Sequence, residues 1–288
     1  MKSYKFFCVV SCATILSGCA LNYSEFDPFT SDISNSDLIA PPYIDHPKLK
    51  TAELARARGD VPQAIHDYRD IIKEHRGNCE KAYLGLGWSL LDANAIDESK
   101  KTFDKAITLY PHSAGAYAGL GAVYLTIDQP ENAIKAFEMA LKLNPCLAKA
   151  LNGYGIALDM IGDHRGAQAN YRAAMERDPG NISYESNLGL SMALAGNTSE
   201  AIHILERLSR SPQATARVRQ NLSLAYGLAG DMKMARNIGT VDLSSDWVRN
   251  NVSYMEAVRE TEEYAGLIPK DHIEGPLNQT RKWQDRNN

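Results

Sequence analysis

The chain has 288 residues, of which 44% are hydrophobic and 23% are charged, and its formal net charge is −4. This composition is ordinary for a folded globular protein. The mildly acidic balance argues against the basic surface that nucleic-acid binding requires, so we expect no nucleic-acid partner.

Residues 1–18 have the features of a secretory signal peptide. Two early lysines precede an apolar run over residues 6–17, which is too short for the roughly 20 residues of a membrane span. The end of this segment, Leu16-Ser17-Gly18-Cys19, resembles the lipobox of bacterial lipoproteins. We therefore expect lipidation of Cys19, with diacylglycerol on the thiol and a further acyl chain such as palmitate on the amine. A cleaved signal with a soluble product and an uncleaved anchor helix are the alternatives.

The residue after the lipobox cysteine is Ala20 rather than aspartate. Under the enterobacterial sorting rule, this predicts an outer-membrane lipoprotein that faces the periplasm. Residues 19–44 are rich in Ser, Asp, Asn and Pro and show no helical or strand periodicity. They are predicted to be a flexible tether between the lipid and the folded part.

A 34-residue period runs through the middle of the chain and is typical of tetratricopeptide helix-turn-helix repeats. Its strictest markers are four glycines and three prolines, Gly87, Gly121, Gly155, Gly189, Pro111, Pro145 and Pro179. The prediction is an all-α solenoid of about six repeats over residues 45–239, with repeats near 45–79, 80–113, 114–147, 148–181, 182–215 and 216–239.

Each recurring residue type has a physical reason. A glycine inside a helix costs about 1 kcal/mol relative to alanine, so the repeated glycines predict the close approach of a neighbouring helix backbone. The aromatic residues Phe103, Phe137 and Tyr171 are predicted to fill the space between repeats. The prolines come just after each second helix, which they cannot continue.

The first helices of stacked repeats line a concave face that we expect to bind a protein segment. One line of this predicted groove is apolar and a second carries amides and hydroxyls, whereas no ring of Lys or Arg is present. Packing on neighbouring helices, or filling of the groove by the C-terminal segment, is the alternative. The predicted groove residues are Leu84, Trp88, Thr126, Asn152, Ile156, Met160, Ser186, Leu190, Leu194 and Gln220.

A helix over residues 240–265 is predicted to cap the array, because apolar residues follow Ser245-Asp246 at helical spacing. Residues 266–288 are polar and are predicted to form a loose tail.

No catalytic motif is found, so we expect no enzymatic activity, no small-molecule substrate, no metal and no cofactor. The Gly-x-Gly pairs mimic part of a nucleotide fingerprint but fall inside predicted helices. His75 and Cys79 are too few ligands for a metal, and Cys79 and Cys146 are predicted to remain unpaired.

The combination of lipobox, tether, repeats and the segment Asp242-Leu243-Ser244 resembles the TadD family, the tetratricopeptide lipoproteins of Flp or tight-adherence (Tad) pilus assembly. The resemblance covers roughly residues 16–260, and its more specific part is the tail, in which that segment is followed by a helix. The matching residues there are Val248, Asn251, Val252, Tyr254 and Arg259.

This resemblance implies an outer-membrane assembly factor of a type IV pilus or secretion machine. Like a pilotin, it would bind secretin subunits or other pilus-assembly components through the groove while its lipid holds it at the membrane. Other functions fit the same architecture. These are an ordinary type IV pilus pilotin, a β-barrel assembly subunit, and a periplasmic scaffold for peptidoglycan enzymes.

Overall fold

In a computed structural model, residues 47–75, 79–242 and Val248 are described. Across these ranges twelve helices follow one another in antiparallel pairs, and each pair packs on the next. The helices are α1 Pro47–Ala57, α2 Val61–Glu74, α3 Glu80–Asp92, α4 Ile96–Leu109, α5 Ala114–Thr126, α6 Pro130–Leu143, α7 Ala148–Met160, α8 His164–Arg177, α9 Ile182–Leu194, α10 Thr198–Ser209, α11 Ala216–Ala229 and α12 Met232–Gly239. The predicted fold class is confirmed: the protein is an all-α tetratricopeptide solenoid.

Short polar side chains begin many of these helices by accepting a hydrogen bond from a backbone N–H of the first turn. These N-caps are Asp60, Ser113, Asp163, Asn181, Thr215 and Asp231. Pro111, Pro145 and Pro179 lie two residues beyond the last helical residues of α4, α6 and α8.

The turn between the two helices of each repeat requires one residue in the left-handed backbone region. This turn position is occupied by Gly59, Asn94, Asp128, Gly162, Gly196 and Gly230, with φ angles between 55° and 92°. Glycine, asparagine and aspartate are the residues that adopt this conformation at least cost. The turn position is a second marker of the repeat, and the sequence analysis did not use it.

A large side chain from most second helices lies against one or two of the repeated glycines. We call its place in the repeat the ring position, which is held by Tyr68, Phe103, Phe137, Tyr171, Leu205 and Gly239. A Cβ added to Gly87, in the same repeat as Phe103, would lie 2.6 Å from its ring, and one added to Gly119, in the next repeat, 2.2 Å. Phe137 lies between Gly121 and Gly153 in the same way.

The physical role predicted for the glycines therefore needs a correction. They make room for the side chain at the ring position, and not for the backbone of a neighbouring helix. Gly155 faces the ring of Tyr171 and Gly189 faces the side chain of Leu205, so the same arrangement continues along the array. The rings of Phe103 and Phe137 are fully buried, and each joins its own repeat to the next in a buried cluster.

Several predictions fall outside the described residues. These are the signal peptide at 1–18, Cys19, the tether at 19–44, the tail at 266–288 and nearly all of the predicted capping helix at 240–265. Val248 is described, is helical, and is buried.

Candidate protein-binding face

The predicted groove residues lie on the first helices of the repeats, but they differ in exposure. Five are buried, namely Leu84, Trp88, Asn152, Met160 and Ser186. Five are half-buried, namely Thr126, Ile156, Leu190, Leu194 and Gln220. The half-buried set supplies the surface that a partner could contact.

Trp88 is a core residue with 1% of its surface exposed. Its indole meets the ring of Phe103 edge-on, with centroids 5.6 Å apart and an interplanar angle of 75°. Leu84 belongs to the same buried cluster. Truncation of Trp88 would therefore disturb packing between repeats, and it is unsuited to testing partner capture.

Half-buried apolar side chains recur at one place in the first helices of the last three repeats. Ile156, Leu190 and Leu224 are equivalent residues of successive repeats. Leu194 and Leu228 lie one helical turn further along α9 and α11. Because residues four apart share one side of a helix, these five leucine and isoleucine residues form a line along neighbouring first helices. We call this set the apolar line.

Two amide hydrogen bonds connect the first helices beside the apolar line. The Asn187 side chain donates to Asn152 Oδ1 at 2.8 Å, joining α7 to α9. The Asn221 side chain donates to Ser186 Oγ at 3.0 Å, joining α9 to α11. All four residues are buried, so these bonds satisfy polar groups inside the repeat interface.

Asn152 and Ser186 are among the predicted groove residues, whereas Asn187 and Asn221 are not. The latter two stand where earlier repeats have Gly85, Gly119 and Gly153, so the loss of the first glycine from the Gly-x-Gly pair was the available signal.

A polar cluster at the fourth and fifth repeats also escaped the sequence analysis. The Asp159 carboxylate accepts hydrogen bonds from Tyr171 Oη at 2.8 Å and Ser191 Oγ at 2.7 Å, and it lies 2.8 Å from His164 Nδ1. Burial raises the pKa of Asp159, and the hydrogen bonds with His164, Ser191 and Tyr171 oppose that rise. Two departures from the repeat signal this cluster. Tyr171 stands where the two preceding repeats have phenylalanine, and Asp159 stands where they have leucine.

A buried ion pair joins the first two repeats. Arg56 Nε lies 3.0 Å from Asp92 Oδ2, and the two side chains are 2% and 8% exposed. This pair connects α1 to α3. Because both groups are buried, removing either one would leave an uncompensated charge in the interior.

Over the described ranges, no group of three or more His, Cys, Asp or Glu side chains could hold a metal ion. Cys79 is buried, Cys146 is exposed, and both are free thiols. Of the helices described here, none combines the length and apolar character that a membrane span requires.

Comparison with known proteins agrees with this architecture. A family model described as tetratricopeptide repeat matches residues 49–114 and, overlapping them, 84–148. No curated protein matches the chain in sequence.

Three of the solved structures that share the fold illustrate the likeness. The first is PilW, described as a widely conserved type IV pilus biogenesis factor, with TM-score 0.57 and 20% identity over 66% of this chain and 88% of PilW. A tetratricopeptide repeat protein from Parabacteroides merdae has TM-score 0.57 and 12% identity over 73% of this chain and 83% of its own. A thermophilic tetratricopeptide protein from Thermus thermophilus has TM-score 0.55 and 17% identity over 62% of this chain and 96% of its own.

The repeats, the ring positions and these comparisons together define the class. The described residues form a tetratricopeptide-repeat solenoid, a fold class suited to protein–protein interaction.

Proposed function

We propose that this protein is an outer-membrane assembly factor of a Flp/Tad or related type IV pilus. It acts like a pilotin: lipid on Cys19 holds it at the periplasmic face of the membrane, residues 19–44 give it reach, and the repeat array binds a secretin subunit or another pilus-assembly component. The observation that carries the binding role is the apolar line on the first helices of the last three repeats.

The apolar line suits a partner segment that is itself apolar or amphipathic. Its side chains are partly exposed. They lie beside the buried side-chain hydrogen bonds that connect α7 to α9 and α9 to α11. Apolar surface that a partner covers on this face would contribute about 25 cal/mol per Å² to binding. Acyl chains on Cys19 would each contribute about 0.8 kcal/mol per buried methylene to anchoring.

The pilus pathway is supported by two likenesses of different kinds. PilW, a type IV pilus biogenesis factor, has the same fold. The lipobox at Cys19 and the Asp242-Leu243-Ser244 segment resemble the TadD family. Fold alone does not assign a pathway, so the experiment must identify the partner directly.

The anchoring part is tested by crosslinking and pulldown from envelopes of cells that make wild-type protein or Cys19→Ser. We expect the wild type to recover a secretin and the variant to lose it or to leave the outer-membrane fraction. Cys146→Ser is the matched control, because Cys146 is an exposed free thiol within the array. An unmodified Cys19 in mass spectrometry would refute the anchor.

The binding part is tested with Leu190→Glu, which places a charge in the middle of the apolar line. Secretin recovery should fall at least tenfold while helicity is retained. Met139→Glu is the control, since Met139 is exposed on the second helix α6. Equal recovery by both variants would remove the apolar line from the site. Recovery of β-barrel assembly subunits or cell-wall enzymes in place of a secretin would favour the general periplasmic scaffold.

A further inference from the structure

The boundary between the fourth and fifth repeats contains a polar cluster in addition to its apolar packing. Asp159, near the end of α7, accepts hydrogen bonds from Tyr171 of α8 at 2.8 Å and from Ser191 of α9 at 2.7 Å. His164, the first residue of α8, places Nδ1 2.8 Å from the same carboxylate oxygen that Ser191 contacts. One carboxylate therefore connects three helices of two repeats.

The pair formed by Asp159 and His164 is largely removed from water, because the two side chains are 12% and 19% exposed. Over the described ranges, His164 is the only basic side chain that pairs with the Asp159 carboxylate. The neighbouring acid Asp163 is exposed and accepts a hydrogen bond from the backbone N–H of Gly166. His164 is therefore the one described group that can neutralise Asp159 at close range.

The other titratable side chains of α7, α8 and α9 are distant, exposed or bonded elsewhere. Lys149 lies in the first turn of α7, about 15 Å along the helix from Asp159. Four side chains of α8 are exposed, namely Arg165, Arg172, Glu176 and Arg177. Three more contact partners outside the cluster, namely Tyr154 with Glu138, Tyr184 with Asp178 and Glu185 with Arg207.

The net charge of the Asp159–His164 pair depends on a single proton. With that proton the pair is neutral overall, either as carboxylate and imidazolium or as carboxylic acid and neutral imidazole, so the two groups titrate as a unit. Without it, a net negative charge remains in a site that water barely reaches, which is unfavourable. Burial raises the pKa of Asp159, as expected where that charge is disfavoured.

We propose that Asp159 and His164 share one proton that keeps the fourth and fifth repeats joined, and that loss of this proton loosens α9 from α7. Ser191 transmits the change, because its hydroxyl ties α9 to Asp159 and also lies 3.4 Å from the backbone carbonyl oxygen of His164. The boundary is held at acidic pH and relaxes as the pH rises.

This boundary crosses the apolar line. Leu190 is next to Ser191 in α9, and Leu194 lies one helical turn later, whereas Ile156 belongs to α7. A movement of α9 relative to α7 would therefore change the spacing between Ile156 and the two leucines. The consequence for partner binding rests on the proposed function, but the structural change does not.

Hydrogen exchange of the full chain, corrected for the intrinsic effect of pH on amide exchange, tests this without a partner. Protection of α9 should fall about tenfold between pH 5 and pH 8, as one pKa unit of proton linkage would give, while protection of α5 stays within about twofold. Asp159→Asn removes the titrating group with little change in shape, so α9 protection should become independent of pH, whatever its level.

Asp163→Asn is the matched control, because it removes a nearby exposed charge and asparagine can still cap α8. Its α9 protection should follow pH as in the wild type. Protection of α9 that ignores pH in the wild type, an equal fall in α5, or an unaltered pH dependence in Asp159→Asn would overturn the proposal.

A second variant separates proton sharing from hydrogen bonding alone. In His164→Gln the amide can still donate to Asp159 but cannot bind a proton, so the carboxyl would titrate by itself. The pH at which α9 loosens should fall by about one unit or more relative to wild type. If it stays the same, His164 does not hold the proton and the proposal fails. Because no secretin takes part in these measurements, their failure is distinct from failure of the proposed function.

Discussion

Replacement of Gly119 by alanine is the most direct test of how the repeats interlock. A Cβ at this residue would lie 2.2, 2.3 and 2.6 Å from three ring carbons of Phe103. The ring is fully buried and packs edge-on against Trp88, so it cannot shift without disturbing its neighbours. Either the ring or the backbone of α5 must move.

The expected cost follows from two opposing effects. Overpacking a well-filled core costs up to about 3 kcal/mol, while alanine in place of glycine inside a helix returns about 1 kcal/mol. Gly119→Ala should therefore destabilise the protein by about 2 kcal/mol, measured by urea unfolding followed by circular dichroism at 222 nm. Gly180→Ala is the matched control, because a Cβ there would meet no atom within 4 Å and stability should stay equal or rise by up to about 1 kcal/mol.

A double-mutant cycle identifies the clashing group. In a Phe103→Leu background the ring is gone, so Gly119→Ala should cost clearly less than in the wild type. If the cost is the same in both backgrounds, or if Gly119→Ala is as stable as wild type, the ring does not explain the glycine.

Three further predictions concern charged and polar groups. The pKa of Asp159 is raised in the folded state, so its contribution to stability is greatest at acidic pH and is lost as the pH rises through that pKa. Unfolding midpoints measured from pH 4 to 8 should therefore fall more steeply for wild type than for Asp159→Asn. Arg56→Met should cost about 3–5 kcal/mol in urea unfolding because it removes the positive charge beside the buried Asp92 carboxylate, and adding Asp92→Leu should recover most of that loss. The hydrogen bond to Glu206, together with burial, raises the pKa of Tyr226 to about 12. Glu206→Gln should therefore lower the pKa of this one tyrosine toward its ordinary value, measured by absorbance titration at 295 nm.

The fold could be predicted because each repeat must present the same packing surfaces to its neighbours. That requirement places small, aromatic and helix-ending residues 34 apart, and the sequence displays the period directly. The physical reason for the glycines was harder to predict. Their spacing shows that something approaches closely, but only the structure shows that the ring of Phe103 or Phe137 does so.

The candidate site could be predicted only in part. Helical periodicity places Trp88 and Leu190 on the same side of their helices. Neighbouring repeats bury Trp88 completely but leave Leu190 half-buried, and periodicity does not predict that difference. The Asp159 cluster joins residues up to 32 positions apart, so no local pattern identifies it. Its clues were departures from the repeat, a kind of signal that periodicity analysis treats as noise.

The register of the rings limits how this array can be lengthened by engineering. Each boundary between repeats in the first half of the array needs an aromatic side chain at the ring position of one repeat and a glycine in the first helix of the next. Phe137 and Gly153 are an example. A duplicate of residues 114–147 inserted after residue 147 would regenerate that pairing on both of its sides. If the same 34 residues were inserted after residue 181, Asn187 would face a copy of Ala118 instead of Asn152. Its side-chain hydrogen bond to Asn152 would then be lost. A copy of the third repeat therefore fits after residue 147 and not after residue 181.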